Sequence, residues 1–320
     1  MMFRKHRIMW YVSRAGILVL IVVLGVGVYL YVWFRRDIKK AEARIARGSL
    51  MAKTACGRIE YADSGAGIPV LAIHGSGGGY DQGLFLGELL GDGFRVIAPS
   101  RFGYLNSPYP ESHSVVDQAD AYVCLLDYLG LESVSVIAFS AGGTSALQFA
   151  QLHPDRVSAL VMVSAVSNVR PVRDANEGAQ SALLTDFVFW AASTLATDPT
   201  LHFFGVSSET QAAMTDKEMA CARSLLRMMN PLGLRKAGLD HDSTESNLFD
   251  GASFELERIT APTLVVHAED DTFIPIIHGE YTAEHIPGAR LVRFDTGGHF
   301  VSVLDEARAV IANFIRQAVS

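Results

Sequence analysis

The sequence has few cysteines and no spacing that is typical of a metal site. Only Cys56, Cys124 and Cys221 occur among 320 residues, and they are far apart and odd in number. Neither a disulfide framework nor a metal site is therefore expected. Internal repeats and low-complexity tracts are absent as well, which leaves no sign of a repeat architecture.

Positive charge is scarce outside the N-terminus. Residues 1–53 carry 11 Lys or Arg against 2 Asp or Glu, whereas the remaining residues carry 16 against 32. The acidic body argues against a nucleic-acid partner. The basic N-terminal segment suits the anionic headgroups of a lipid bilayer instead.

Charge is missing altogether from residues 15–34, which are almost wholly apolar. As a helix this segment would be about 30 Å long, enough to cross the hydrocarbon core of a membrane. A buried core helix should show a polar stripe, and a signal peptide should have a shorter apolar region followed by small residues. The segment ends instead in an aromatic belt formed by Tyr29, Tyr31, Trp33 and Phe34. We therefore expect a retained transmembrane helix.

The flanks of this span predict a basic N-terminal tail at residues 1–14 and a basic juxtamembrane linker at residues 35–52. The pattern indicates a single-pass membrane protein of the kind found in a bacterial inner membrane. Four Lys or Arg precede the span and six follow it, so the following side is favoured as cytoplasmic by a thin margin. A signal anchor could also place the domain outside, so the side is left open, as is the oligomeric state.

From residue 53 onward, short apolar runs alternate with helical patterns. Continuous runs such as Pro69–Ile73 and Arg95–Pro99 are typical of strands covered on both faces. A helix is expected over Ser114–Leu129, with Ser114 as its N-cap and Gly130 as its stop. The alternation predicts an α/β fold with a mostly parallel sheet flanked by helices.

The alternation stops between residues 166 and 258, where helical patterns and aromatic residues occur without a convincing strand. We expect this stretch to be an inserted helical cap with helices at Ser181–Leu195 and Asp216–Met229. The predicted core comprises residues 53–165 and 259–320, and ends with a strand at Ala289–Phe294 and a helix at Ser302–Ala318.

Four loops follow predicted strands, at the edge where open α/β sheets bind ligands. They are HGSGGG at 74–79, FSAGG at 139–143, EDD at 269–271 and GGH at 297–299. Ser140 ends an apolar run, and small residues that open a helical pattern follow it. This sequence predicts a tight strand–turn–helix with a serine at its apex.

These loops hold the groups that activate a serine. A hydroxyl becomes a nucleophile when a base removes its proton, and an imidazole exchanges protons near neutrality. A carboxylate on the other ring nitrogen fixes the tautomer of the imidazole. Ser140, Asp271 and His299 are the candidates for these roles. Asp270 is the adjacent alternative acid, although the spacing to Pro275 favours Asp271.

Backbone amides are also needed where negative charge develops on a substrate oxygen. The amide of Ala141, which follows the serine, is one candidate, and that of Ser76 or Gly77 is the other. The glycine-rich loop lacks G-x-x-x-x-G-K-[ST], and no G-x-G-x-x-G occurs in the right context, so a phosphate or dinucleotide cradle is not expected. We predict neither a cofactor nor a metal.

Together the motifs HGSGGG, AFSAGG, HAEDDTFIP and GGHF resemble the α/β-hydrolase superfamily, from about residue 53 to the end. The resemblance implies an α/β-hydrolase fold in which Ser140 is the nucleophile, Asp271 the acid and His299 the base. Residues that match structural positions of the family motifs are His74, Gly75 and Gly142. The sequence departs from the family pattern at Ala138 and Ala268, where glycine is common.

A serine at this turn favours acyl chemistry over the branches of the superfamily that use aspartate there. The resemblance therefore implies a membrane-anchored serine hydrolase that cleaves an ester-type bond, with amides, lactones and carbon–carbon bonds also open. The apolar cap predicts a small or medium hydrophobic substrate. Two alternatives remain: a cofactor-free oxygenase or peroxidase with His299 as its base, and a ligand-binding signalling protein with little turnover.

Overall fold

A computed structural model describes residues 2–167, 185–242 and 255–320, with side chains described from Arg14 onward. The chain divides into two compact units, residues 1–44 and residues 45–320. The predicted cap therefore lies only partly within the described residues, because positions 168–184 and 243–254 fall outside them.

The first unit is formed by one long helix, α1 (Met2–Ile45). Its portion Arg14–Ile45 is long and apolar enough to cross a membrane. Most large apolar side chains between Ile17 and Val32 are each more than half exposed, among them Leu18, Ile21, Leu24 and Val28. A helix that leaves its apolar side chains exposed in this way is not packed in a protein core. The predicted tail, span and first part of the linker are continuous in α1.

The second unit is organised around an eight-stranded sheet with the order β1-β2-β4-β3-β5-β6-β7-β8. Strand β2 pairs antiparallel with both β1 and β4, and the other pairs are parallel. The prediction of a mostly parallel sheet is confirmed. The strands are β1 (Leu50–Thr54), β2 (Gly57–Gly65), β3 (Ile68–Ile73), β4 (Phe94–Pro99), β5 (Val134–Phe139), β6 (Val157–Val163), β7 (Thr263–Ala268) and β8 (Arg290–Phe294).

Helices cover both faces of this sheet, which explains why its central strands are mostly apolar and almost completely buried. Alternate residues of β3 enter two separate apolar clusters: Val70 and Ala72 join one, and Leu71 and Ile73 join the other. The first cluster includes residues of α2 and α11, and the second includes residues of α3, α4 and α10. These helices are α2 (Tyr80–Glu88), α3 (Val115–Leu129), α4 (Gly142–Leu152), α10 (Ile277–His285) and α11 (Asp305–Ala318).

Local signals place the ends of α3 as expected. The Ser114 hydroxyl accepts the amide N–H of Asp117, and the Asp117 carboxylate accepts the amide of Ser114 in return. Gly130 ends the helix in the left-handed conformation, with φ of 67°. The final helix is shorter than predicted, because residues Gly298–Val303 form a 3₁₀ turn before α11 begins at Asp305.

The described part of the segment between β6 and β7, which was predicted to be the cap, contains five α-helices. Within residues 185–242 no strand occurs, as predicted. The first of these helices begins at Asp186, capped by Thr185, and the start predicted at Ser181 lies outside the described residues. The helices are α5 (Asp186–Leu195), α6 (Thr197–Phe203), α7 (Ser208–Ala213), α8 (Asp216–Met228) and α9 (Lys236–Asp242).

One disulfide corrects the cysteine analysis. Cys56, in the turn between β1 and β2, is bonded to Cys124 in α3, with Cα atoms 5.9 Å apart. The expectation that no disulfide forms is therefore wrong for this pair. The two cysteines are 68 positions apart in the sequence, so only the packing of α3 near β1 brings them together. Cys221 remains a free thiol.

The disulfide closes a long loop of the chain and is therefore expected to stabilise the folded state. Replacing Cys56 and Cys124 by serine is expected to lower the free energy of unfolding by about 2–4 kcal/mol, because the crosslink limits the conformations of the unfolded chain. Urea titrations in detergent, followed by circular dichroism, would measure the difference. Cys221→Ser is the matched control, and an unchanged midpoint for the double variant would contradict the prediction.

Candidate active site

Ser140 lies in the turn between β5 and α4 and has a left-handed backbone, with φ of 52°. The residues after it must be small. A Cβ atom on Gly142 would lie 2.6 Å from the carbonyl oxygen of His74, and one on Gly143 would lie 2.4 Å from that of Val166. Glycine is therefore required at both positions for the helix to begin against its neighbours.

The structure brings Ser140, His299 and Asp271 together at the carboxyl ends of β5, β8 and β7. The Ser140 Oγ atom is 3.0 Å from Nε2 of His299, and Nδ1 of His299 is 2.9 Å from Oδ2 of Asp271. All three side chains are buried. A carboxylate can only accept, so the proton of the neutral imidazole lies on Nδ1. Nε2 then has a free lone pair to accept the serine proton.

The two adjacent acids have different partners. Asp271 accepts the His299 ring, and its Oδ1 also accepts the amides of Phe273 and Ile274 at 2.9 Å each. Asp270 instead accepts the hydroxyl of Thr210 in α7 and, at 2.8 Å, the amide of Gly298. Asp271 is thus the acid behind the imidazole, whereas Asp270 ties α7 to the turn that carries His299.

A second imidazole lies beside the acid. Nε2 of His267 is 3.5 Å from Oδ2 of Asp271 and donates to the carbonyl of Ile274 at 2.8 Å. Burial alone would raise the pKa of the Asp271 carboxyl. The rings of His299 and His267 outweigh that effect and hold the pKa well below its ordinary value. Asp271 therefore stays ionised at neutral pH.

The glycine-rich loop lies against the serine. A Cβ atom on Gly75 would be 2.8 Å from Cβ of Ser140, so only glycine lets the loop approach this closely. The amide of Gly77 donates to the hydroxyl of Tyr104 at 3.4 Å. The amides of Ser76 and Ala141 have no acceptor within the described part of the chain. Both amides are therefore available as donors to a bound group.

His74 supports the loop rather than the serine. Its Nδ1–H donates to the carbonyl of Gly75 at 2.7 Å, and its Nε2 accepts the amide of Arg101 at 2.9 Å. The ring is completely buried. Burial and the nearby Arg101 guanidinium lower the pKa of His74 to about 3. The imidazole is therefore neutral across the physiological range.

Aromatic rings surround His299. The rings of Phe139 and Phe273 each lie 4.9 Å from it, between ring centroids. Phe204, at the end of α6, is 5.3 Å from Phe273. The sequence analysis identified neither Phe204 nor Phe273 as part of the site, although Phe273 stands in the same TFIP segment that identified the acid. Its place beside the acid is the signal that could have found it.

Three further residues escaped the sequence reasoning as parts of the site. They are Arg101, Tyr104 and Asp242. All three are buried, and the Asp242 carboxylate accepts both from Arg101 and from Tyr104. No local motif marks Asp242, because its partners are more than a hundred positions away. Across the described ranges, no cluster of three metal-ligating side chains occurs.

Comparison with known proteins shows that the chain is similar to hydrolases. The family model for the alpha/beta hydrolase fold matches residues 68–306. An uncharacterized hydrolase (YcgS) of Bacillus subtilis is 29% identical over 263 residues, covering 78% of this chain and 91% of its own. The 2-hydroxy-6-oxo-6-phenylhexa-2,4-dienoate hydrolase of Burkholderia cepacia is 29% identical over 256 residues, covering 76% and 85%.

Solved structures give the same picture of the fold. The alpha/beta hydrolase fold protein from Nakamurella multipartita superimposes with a TM-score of 0.76 at 34% identity, covering 85% of this chain and 100% of its own. A thermophilic esterase from Thermogutta terrifontis has a TM-score of 0.63 at 23% identity, with coverage of 85% and 99%. The second likeness concerns the fold alone.

Burial of His74 as a neutral ring predicts how stability depends on pH. The unfolded state binds a proton near pH 6.5, whereas the folded state resists protonation down to about pH 3. The stability that the neutral His74 ring provides is therefore fully present above pH 6.5 and is lost as the pH falls toward 3. Between pH 6 and 4.5, we expect the free energy of unfolding of His74→Asn to fall less steeply than that of the wild type, by about 1.4 kcal/mol per pH unit.

Urea unfolding at several pH values would measure this slope, which is independent of any constant loss of stability in the variant. His202→Asn, at an exposed position in α6, controls for the loss of an imidazole as such. Equal slopes for wild type and His74→Asn would show that the His74 ring is protonated in the folded state.

Proposed function

Because the chain belongs to the alpha/beta hydrolase fold family, we propose that it is a membrane-anchored serine hydrolase that cleaves an ester-type bond of a small or medium hydrophobic substrate. The observation that carries the proposal is the buried hydrogen-bond sequence from Asp271 through His299 to Ser140. Its order and tautomer suit proton removal from a serine hydroxyl. The hydrolase and esterase names of the similar proteins support the same reaction class.

In the proposed reaction, Ser140 Oγ attacks the substrate carbonyl carbon while His299 Nε2 takes the hydroxyl proton. The Asp271 carboxylate stabilises the imidazolium that forms. His299 then returns the proton to the leaving alcohol oxygen as the carbon–oxygen bond breaks, which leaves an acyl group on Ser140. A water molecule attacks this acyl-enzyme with His299 again as base. The carboxylic acid leaves, and Ser140 regains its proton.

The oxyanion of each tetrahedral intermediate needs donors beside Ser140. We assign this role to the amides of Ala141 and Ser76, since neither has an acceptor in the described structure. The amide of Gly77, the other sequence candidate, is occupied by the Tyr104 hydroxyl. Removal of one such donor typically lowers turnover about 10²–10³-fold.

The surroundings of His299 support an apolar substrate. Phe139, Phe273 and Phe204 present aromatic rings near the imidazole. The two arginines that bind the glycine-rich loop are already paired, Arg101 with Asp242 and Arg235 with Asp81. Neither is free to bind a substrate carboxylate. A neutral ester is therefore a better candidate than an acidic one.

Replacing the nucleophile tests the proposal without knowledge of the natural substrate. A fluorophosphonate probe is expected to modify Ser140 in the wild type, identified by mass spectrometry of the labelled peptide, and to leave Ser140→Ala unlabelled. Hydrolysis of p-nitrophenyl butyrate by Ser140→Ala should fall by several orders of magnitude. Substantial residual activity would favour the oxygenase or peroxidase alternative, in which His299 is the base and Ser140 only donates a hydrogen bond.

The two acids give a matched pair of variants. Asp271→Asn is expected to lower kcat about 10⁴-fold, because an amide cannot hold the imidazole in the required tautomer. Asp270→Asn changes a side chain that contacts Thr210 and Gly298 but not the ring. Its kcat should fall far less. Steady-state kinetics with p-nitrophenyl butyrate would measure both, and a larger loss in Asp270→Asn would reverse the assignment.

We further propose that α1 anchors the protein in a bilayer and that the hydrolase unit lies outside the cytoplasm. The Cys56–Cys124 disulfide supports this side, because cytosolic thiols are kept reduced. The basic residues that flank the span differ by only two between its sides. This small excess argues weakly for the opposite orientation.

Fusions of reporter proteins to the C-terminus of the full chain test this orientation in bacterial cells. Alkaline phosphatase, which needs its own disulfides, should be active in the fusion, whereas green fluorescent protein should be dark when exported by the same route. The reverse pair of results would place the hydrolase unit in the cytoplasm. Recovery of both fusions in the soluble fraction would contradict anchoring by α1.

A further inference from the structure

Asp242, the last residue of α9, is a buried carboxylate that accepts hydrogen bonds from three side chains. Its Oδ2 accepts the hydroxyl of Ser76 at 2.7 Å and that of Tyr104 at 2.5 Å. The guanidinium of Arg101 donates to both carboxylate oxygens, at 3.0 and 2.5 Å. One carboxylate from the segment between β6 and β7 thus joins side chains of the sheet-forming part of the chain.

Each of these three partners either belongs to the glycine-rich loop or contacts it. Ser76 lies in the loop itself. The Tyr104 hydroxyl accepts a hydrogen bond of 3.4 Å from the amide of Gly77, the residue after Ser76. Arg101 reaches the start of the loop at His74: its Nε–H donates to the His74 carbonyl at 3.2 Å, and its amide donates to the His74 ring at 2.9 Å. Asp242 is therefore the common acceptor behind this loop.

A second set of contacts from the same segment holds the next residues of the loop. Arg235 donates to the carbonyl of Gly78 at 2.5 Å and forms a buried, two-pronged ion pair with Asp81. Met229 lies over Gly77, where a Cβ atom would be 2.3 Å from the methionine methyl group. The segment after β6 therefore contacts the loop at Ser76, Gly77 and Gly78.

We infer that Asp242 is a positioning residue for the oxyanion hole: it holds the Ser76 side chain, and thereby aims the Ser76 amide at the oxygen bound beside Ser140. This inference rests on the proposed function. A donor helps only when it is placed before the reaction for the charge that develops. Asp242 in helix α9 thus fixes the position of the Ser76 amide without contacting Ser140.

The Ser76–Asp242 hydrogen bond, here called the tether, matters because glycines flank the Ser76 amide. Gly75 and Gly77 lie on either side of Ser76, and Gly77 has φ of 70°. Glycine has the widest conformational freedom of any residue. Apart from the internal hydrogen bond between the Gly78 amide and the Gly75 carbonyl at 3.2 Å, contacts from outside the loop restrict the direction of its amides. The Ser76–Asp242 hydrogen bond is the contact made by the donor residue's own side chain.

Ser76→Ala is the first test, because it removes the tether but keeps the backbone amide and the Arg101–Asp242 ion pair. We expect kcat for p-nitrophenyl butyrate to fall about 10- to 100-fold with little change in KM, since displacement of a positioned group by about 1 Å can cost that much. The melting temperature should stay close to that of the wild type. A wild-type kcat in Ser76→Ala would overturn the inference.

Asp242→Asn tests the other end of the tether. The single variants should each lower kcat, and the double variant Ser76→Ala/Asp242→Asn should be no slower than the slower single variant, because both changes remove one interaction. Multiplicative losses would mean that the two side chains act independently and would overturn the inference. If Asp242→Asn does not fold, because Arg101 is left buried without its partner, then Ser76→Thr, which keeps the hydroxyl, is compared with Ser76→Ala. Ser76→Thr should retain more of the wild-type kcat than Ser76→Ala, and equal losses would overturn the inference.

The matched control is Asp186→Asn. Asp186 also lies in the segment after β6, and its carboxylate also accepts from another part of that segment, the amide of Gly233 at 2.7 Å. Asp186 does not contact the glycine-rich loop, so the kcat of the Asp186→Asn variant should be unchanged. Failure of the proposed function would appear differently, as activity retained in Ser140→Ala, so the two hypotheses are tested separately.

Discussion

Ser140 is held with φ of 52°, a conformation that costs a non-glycine residue of order 1–3 kcal/mol. Buried packing supplies the compensation: every residue of β5 and nearly all of α4 are buried. The strained turn places the hydroxyl at the edge of the sheet, and the amide of Ala141 has no acceptor among the described residues. The approach of Gly75 to Ser140, and with it the placement of the proposed oxyanion donors, depends on this turn.

Two regions of the chain contact the Ser140 turn and the glycine-rich loop beside it. The loops after β7 and β8 bring Asp271 and His299 to the hydroxyl, with distances of 2.9 and 3.0 Å between successive members. The segment between β6 and β7 approaches the glycine-rich loop and contributes Asp242 and Arg235. Asp270 joins the two regions, because it accepts from Thr210 in α7 and from the turn before His299.

Sequence reasoning predicted the parts of this arrangement that have local causes. Buried parallel strands are short apolar runs, and α3 carries its own caps, so both are visible in the sequence. Asp271 and His299 follow strands and stand in recognisable loops. The Cys56–Cys124 bond and the role of Asp242 were missed because each joins residues that only the folded chain makes neighbours, 68 and 166 positions apart. Side-chain type alone does not mark such residues.

The order of the parts along the chain has a consequence for biosynthesis. Ser140 and His299 are separated by 159 positions, and everything between β6 and β7 is made before Asp271 and His299 emerge. Domains generally fold as units, so the domain reaches its final fold only after β8 and His299 have been made. A nascent chain that stalls before β8 carries Ser140 without the imidazole of His299 beside it. In the proposed mechanism, reactivity therefore appears only when translation of the domain is almost complete.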